Sequence, residues 1–162
     1  MLCPDGTTLS ISPVTVMSVN RFERFFRSAA GVDVDKDDLK RHSDFVSRKL
    51  HDLLVVGQAT ASANGRDVTE PSDLPITKGL QVSIHRFRVL DEDIELRPIL
   101  DQLAVLPPLD RPPSEATLAE LPDVIGGLSF ALAHTFVIVR PKLSNPQTHD
   151  WELAFRIFDL LL

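Results

Sequence analysis

Residues 35–65 hold one long helical period, and a helix of that length dictates much of what the chain can become. Asp35 is a favourable N-cap, and Asp37 and Asp38 fall in the first turn, where the helix dipole favours anions. Leu39, Ser43, Val46, Leu50, Leu53, Leu54, Gly57 and Ala61 then recur at helical spacing. Asn64-Gly65 offers a left-handed stop. Such a segment spans about 45 Å at 1.5 Å per residue. One short neighbour cannot cover it, so other helices must pack on more than one of its sides.

Shorter segments flank it. Phe22, Phe25, Phe26 and Ala29 form one apolar face between Asn20 and Ala30, with Asn20 and Glu23 spaced as a capping box and Gly31 as the stop. After the extended link 66–71, Ser72 or Asp73 is expected to cap a third helix, with Pro75 in its first turn and Leu80, Ile84 and Phe87 as its buried stripe. The first half therefore reads short, long, short.

The second half repeats that order less cleanly. Ile99, Leu100, Leu103 and Ala104 suggest a short helix opening at Pro98 and stopped by Pro107-Pro108. Leu121, Ile125, Leu128, Leu132 and Phe136 carry a long stripe towards Val139. Thr117 and Glu120 resemble its capping box, but Pro122 conflicts with that start: a single turn precedes it, or the long helix begins at Pro122. A last helix from Gln147 or Thr148 presents Trp151, Ala154, Phe155 and Phe158. No segment of useful length has strand period. The expected division is a loose tail over 1–17, a first half over 18–90 and a second over 91–162, forming one compact unit. The acidic run Asp91, Glu92, Asp93 and Glu95 reads as a solvated link between the halves, with an acidic partner-binding patch as the alternative.

Composition narrows the function. The single cysteine, Cys3, excludes an intramolecular disulfide. No secretory leader pattern and no apolar run of about 18 residues is visible, so the cytoplasm is the default location. The net charge of -6 is uneven: +1 over residues 1–90 and −7 over 91–162. Such a balance argues against a strong, wrapping DNA binder, because non-specific affinity comes from basic surface.

Short–long–short helices joined by two brief links resemble the histone fold. Arg66, with Asp73 seven residues later, has the spacing at which histone folds pair an Arg with an Asp across their second loop. The stretch Asn64-Gly65-Arg66-Asp67, with Asp73-Leu74-Pro75-Ile76-Thr77-Lys78, is similar to a small bacterial family, known from thermophiles, in which two histone folds are fused in one chain and no function has been assigned. Ala104-Val105-Leu106-Pro107-Pro108 and Ile125-Gly126-Gly127-Leu128 share that likeness. The resemblance implies an all-α intramolecular handshake, a pseudo-dimer that is a monomer because its pairing is satisfied internally, with weak further association open. DNA-binding histones carry Thr two residues after the Arg; here Val68 stands there and Thr69 follows. Seven residues after Arg140 lies Gln147, so no second Arg–Asp pair is expected.

Candidate residues follow. Gly126 and Gly127 inside a helix cost about 2 kcal/mol together relative to Ala. A close crossing of the two long helices would explain them, with Gly57 as the facing position. Arg66 and Asp73 are expected to form a structural ion pair. Arg21, Arg24, Arg27 and Arg66 are the candidates for phosphate contact, against the plainer reading of a solvated helix face. His134, within an apolar helix, is expected to be a buried, hydrogen-bonded structural histidine. No metal-ligand spacing, phosphate-cradling glycine loop or nucleophile pattern is present, so neither catalysis nor a cofactor is expected. Two roles stay open: weak, salt-dependent DNA association through the basic face of the first half, beside the nucleoid, or a protein-interaction scaffold without DNA.

Overall fold

The computed structural model describes residues 16–104 and 109–162. Among them are six α-helices and no strand: α1 Val16–Ala30, α2 Lys36–Ala63, α3 Lys78–Ile94, α4 Arg97–Leu103, α5 Glu115–Val139 and α6 Thr148–Leu161. Each half is a short, long, short triplet. Residues 16 and 17, expected in the tail, belong to α1; residues 1–15 and the expected Pro107-Pro108 stop lie outside the described residues.

Local chemistry sets most helix ends. Asp35 accepts from the Asp38 N–H while Asp38 accepts from the Asp35 N–H, a reciprocal box that opens α2. Gly65, at φ +72°, lets the chain leave α2 in a left-handed conformation. α1 starts a turn before the expected Asn20 cap. Ser18 is buried and continues the Phe22 stripe upstream through a polar residue. α3 starts later than expected. Residues Pro71–Asp73 form only a 3₁₀ turn, Leu74 before Pro75 is extended, and Thr77 caps the helix by accepting from the Leu80 N–H.

Asp91, Glu92 and Asp93 of the acidic run lie in the last turn of α3, and Glu95, its left-handed C-cap, forms with Leu96 the whole link to α4; Glu92, Asp93 and Glu95 are exposed to solvent, as expected. The Asp91 carboxylate accepts from the Leu96 and Arg97 N–H groups and so closes the start of α4. α5 opens at Ser114, which accepts from the Thr117 N–H, so the expected Thr117 cap moves by three residues. Pro122 lies inside α5, and Arg97 donates to the Ala119 carbonyl in the same region. Pro122 has no N–H to give the Leu118 carbonyl, and the Arg97 bond goes to the neighbouring Ala119 carbonyl instead.

α5 is buried almost all round, from Leu121 to Ala133, with Ile125, Leu128, Leu132 and Ala133 fully enclosed. It is the one described helix long and apolar enough to cross a bilayer, yet 61% of that stretch is buried against the rest of the protein. Core packing accounts for its hydropathy. α2 by contrast buries one stripe, which includes Phe45, Val46, Leu50, Leu53, Leu54 and Ala61.

The glycines sit elsewhere than expected. A Cβ on Gly126 would lie 2.3 Å from the Phe87 ring, and one on Gly127 would lie 2.4 Å from the Ile84 side chain and 3.0 Å from its backbone nitrogen. The close approach is therefore α3 onto α5, not the two long helices onto each other. Gly57 does not face that pair; it lies under Leu74 and Thr69, each 3.0 Å from where its Cβ would be.

The two triplets are joined crosswise. Thr69, in the second link of the first triplet, donates its N–H to the Pro112 carbonyl at 3.0 Å and accepts from the Ser114 N–H at 2.9 Å. These bonds make a one-residue parallel bridge to the first link of the second triplet. At the other pairing, the Asp33 N–H in the first link of the first triplet donates to the Ser144 carbonyl in the second link of the second.

Candidate functional site

Each crossed link carries an arginine held by a buried aspartate. Arg66 leaves α2 and donates through Nη1 and Nη2 to the two oxygens of Asp73, at 2.9 and 2.5 Å. Asp73 is third in a short turn, and its carboxylate also accepts from the Glu70 N–H. Arg140 leaves α5, with Nη1 3.1 Å from Asp150 Oδ1. Asp150 is likewise third in its turn and accepts from the Gln147 N–H. The expectation that the second half lacks an Arg–Asp pair is thus overturned. Its link is three residues longer, so a search at a spacing of seven stopped on Gln147, the cap, instead of Asp150, the partner.

The other phosphate-contact candidates do not converge with these. Arg21, near the start of α1, donates to the Glu95 carbonyl at the end of α3. Arg27 pairs with Asp33 at 3.1 Å, both exposed. Arg24 is exposed and has no ion pair among the described residues. Arg66 remains about one-third exposed while engaged by Asp73. Thr69 is buried at the bridge, where its carbonyl also accepts from the Thr117 hydroxyl. Its side chain is not presented at the surface. Exposed carboxylates lie in or beside the crossed links: Asp67 and Asp110 at one crossing, Asp33, Asp35 and Asp37 at the other.

α2 also carries polar contacts to the second triplet. Asp38 accepts from the Trp151 indole N–H at 2.9 Å, and burial raises its carboxyl above the usual range. His42 Nε2 lies 2.7 Å from the Ser129 hydroxyl. That hydroxyl donates to the Ile125 carbonyl, so His42 supplies the proton of its own bond and Nδ1 is left a bare acceptor, without a partner among the described residues. The ring sits beside Phe22 and Phe26, and complete burial pushes its pKa down to about 3. Lys49, also buried, donates to Asp159 on α6 and to Asp52. That ammonium holds Asp159 below the usual carboxylate range.

His134 is not the buried structural histidine; it is half-buried and stacks on Phe130 at 4.5 Å between centroids. His42 takes that role. The signal that pointed to it was position: Asp38, His42, Phe45, Lys49 and Leu53 lie on one helical stripe, which a reading by apolar letters had placed through Ser43. Among the described residues no three His, Cys, Asp or Glu side chains gather as a metal site.

Six helices in two crosswise-joined triplets, each with an arginine beside a buried aspartate, define an all-helical protein. The chain belongs to the family described as a domain of unknown function, DUF1931, which it matches over residues 22–159. An uncharacterized protein of Aquifex aeolicus (strain VF5) is 27% identical over 141 residues, covering 86% of this chain and 81% of that protein. A second from the same organism is 32% identical over 131 residues, covering 72% and 75%. A crystal structure from Thermus thermophilus is 51% identical with a TM-score of 0.79, covering 89% of this chain and 97% of that one. A crystal structure from Aquifex aeolicus, 22% identical with a TM-score of 0.79, covers 94% and 100% and shares the fold.

Proposed function

We propose that the chain is two histone folds fused as an intramolecular handshake, and that it acts as a non-catalytic protein-interaction module rather than a DNA-wrapping one. The crosswise bonds of Thr69 with Pro112 and Ser114, and of Asp33 with Ser144, support the handshake reading. The engagement of the arginines carries the functional half of the proposal. Arg21, Arg27 and Arg66 each meet an acceptor within the chain, and exposed carboxylates interleave with them. Sequence-independent affinity for DNA depends on phosphates replacing counterions at basic surface, and here carboxylates of the chain already occupy part of that role.

One observation favours a second reading, weak DNA association. The Arg140–Asp150 ion pair gives the second crossing an arginine as well, and an arginine held by a carboxylate keeps donors for a phosphate. A mobility-shift titration of duplex DNA at ~50 mM salt, where phosphate contacts are strongest, separates the two. The interaction-module reading expects no shift, together with co-purifying protein that survives nuclease treatment of the lysate. A shifted duplex whose affinity falls steeply with salt and is lost in Arg66→Ala/Arg140→Ala overturns it.

A further inference from the structure

We infer that the cavity between α1, α2 and α4 is a binding site for a small amphipathic anion with a medium-length hydrocarbon chain and a carboxylate head. The cavity has a volume of about 340 Å³. Small-molecule sites run from about 300 to 1,000 Å³ and are lined mainly by apolar side chains with a few placed polar groups. Phe22, Leu96 and Leu100 form its buried part, and Leu39, Ile99 and Leu103 are half-buried around it.

The charges at this cavity select the ligand. No carboxylate is among its described lining residues, but Lys36 and Lys40 are, one turn apart on α2 and both exposed. Neither lysine forms an ion pair among the described residues, although Asp37 and Asp44 are near them in sequence. His42, also in the wall, is buried and neutral at physiological pH, and Gln102 adds an uncharged amide. Lys36 is also the first residue of α2, where the helix dipole adds positive potential. An apolar interior beside two unpaired cations fits a chain with one anionic end. A neutral chain would forgo the charge attraction, and a polyanion would find no use for the apolar walls.

Decanoate and decanol, titrated calorimetrically into the full chain, test the site. Saturable one-to-one binding of decanoate is expected, with decanol weaker. Lys36→Gln/Lys40→Gln, which touches only exposed side chains, is expected to weaken decanoate about fivefold to tenfold and leave decanol unchanged. Ile99→Trp, checked for an unaltered circular dichroism spectrum, is expected to abolish both by filling the cavity. If that variant fails to fold, the lysine pair alone decides. The assignment is overturned if decanoate shows no saturable binding, if decanol binds as tightly, or if the lysine variant binds decanoate as the parent does.

Discussion

Arg140 holds Asp150 across the second link of the second triplet as Arg66 holds Asp73 across that of the first, although ten residues separate one pair and seven the other. In both, the aspartate is buried, accepts the N–H three residues before it, and so fixes the start of a turn and the arginine together. The second pair is single-pronged and its arginine is about half-exposed, whereas the first is bidentate.

Removing Arg66 takes a bidentate donor from the buried Asp73 carboxylate, whereas removing Arg140 takes the ion-pair partner from buried Asp150, whose Oδ1 has no hydrogen bond among the described residues. Arg66→Ala is expected to destabilise by about 2 kcal/mol and Arg140→Ala by about 1 kcal/mol, the latter reduced by solvent screening. A double-mutant cycle of Arg140→Ala with Asp150→Asn, read by urea unfolding, measures the coupling. A coupling of zero would remove Arg140 from the clamp.

Close approach of α3 to α5 makes a small substitution costly. Gly127→Ala gains about 1 kcal/mol of helix propensity. The new methyl nevertheless meets the Ile84 side chain and its backbone nitrogen. Overpacking typically costs about 1–3 kcal/mol, so a net loss is expected and a lower melting temperature should report it. A stabilised variant would contradict so tight an α3–α5 contact.

His42 makes the fold sensitive to mild acid. Its pKa is about 3 when folded, against 6.5 for an unperturbed histidine. Below pH 6.5 the unfolded chain takes up a proton that the folded chain refuses. Stability therefore falls by up to about 1.4 kcal/mol per pH unit as pH drops from 6.5 towards 3. Asp38, with its raised carboxyl pKa, acts in the opposite direction in the carboxylate range. His42→Gln retains a donor for Ser129 and does not titrate. Unfolding free energies at pH 7, 6 and 5 should show the two proteins converging as pH falls; a pH-independent gap between them would refute the assignment.

Lys49 is buried, but its carboxylates are not. Asp52 and Asp159 are both about half-exposed, so deleting the ammonium strands no buried charge. Lys49→Met keeps the apolar stem and is expected to fall within about 1 kcal/mol of the parent in chemical denaturation, or above it. Lys49→Ala leaves a void and is expected to cost about 2 kcal/mol. Equal losses in the two variants would place the ion pair, not the stem, in charge.

Much of the helical plan was legible in the sequence, because caps and periodicity act over three or four residues. Asp35 with Asp38, the stop at Gly65 and the stripe of α6 all draw on neighbours in the chain. The Arg66–Asp73 spacing was legible for the same reason. The Arg140–Asp150 pair was hidden by a three-residue difference in link length, and contact across a loop is set by where its ends are held. Tertiary structure alone decided that Gly126 and Gly127 receive α3 rather than α2, and that His42, Lys49 and Asp38 are buried. Each of those depends on a partner many residues away along the chain, to which local periodicity is blind. The ~30-residue period of α2 thus determined by itself that a long helix forms and must be covered. The crosswise links, the packing of α3 on α5 and the contacts of α2 with α5 and α6 decided what covers it, because together they fix one triplet against the other.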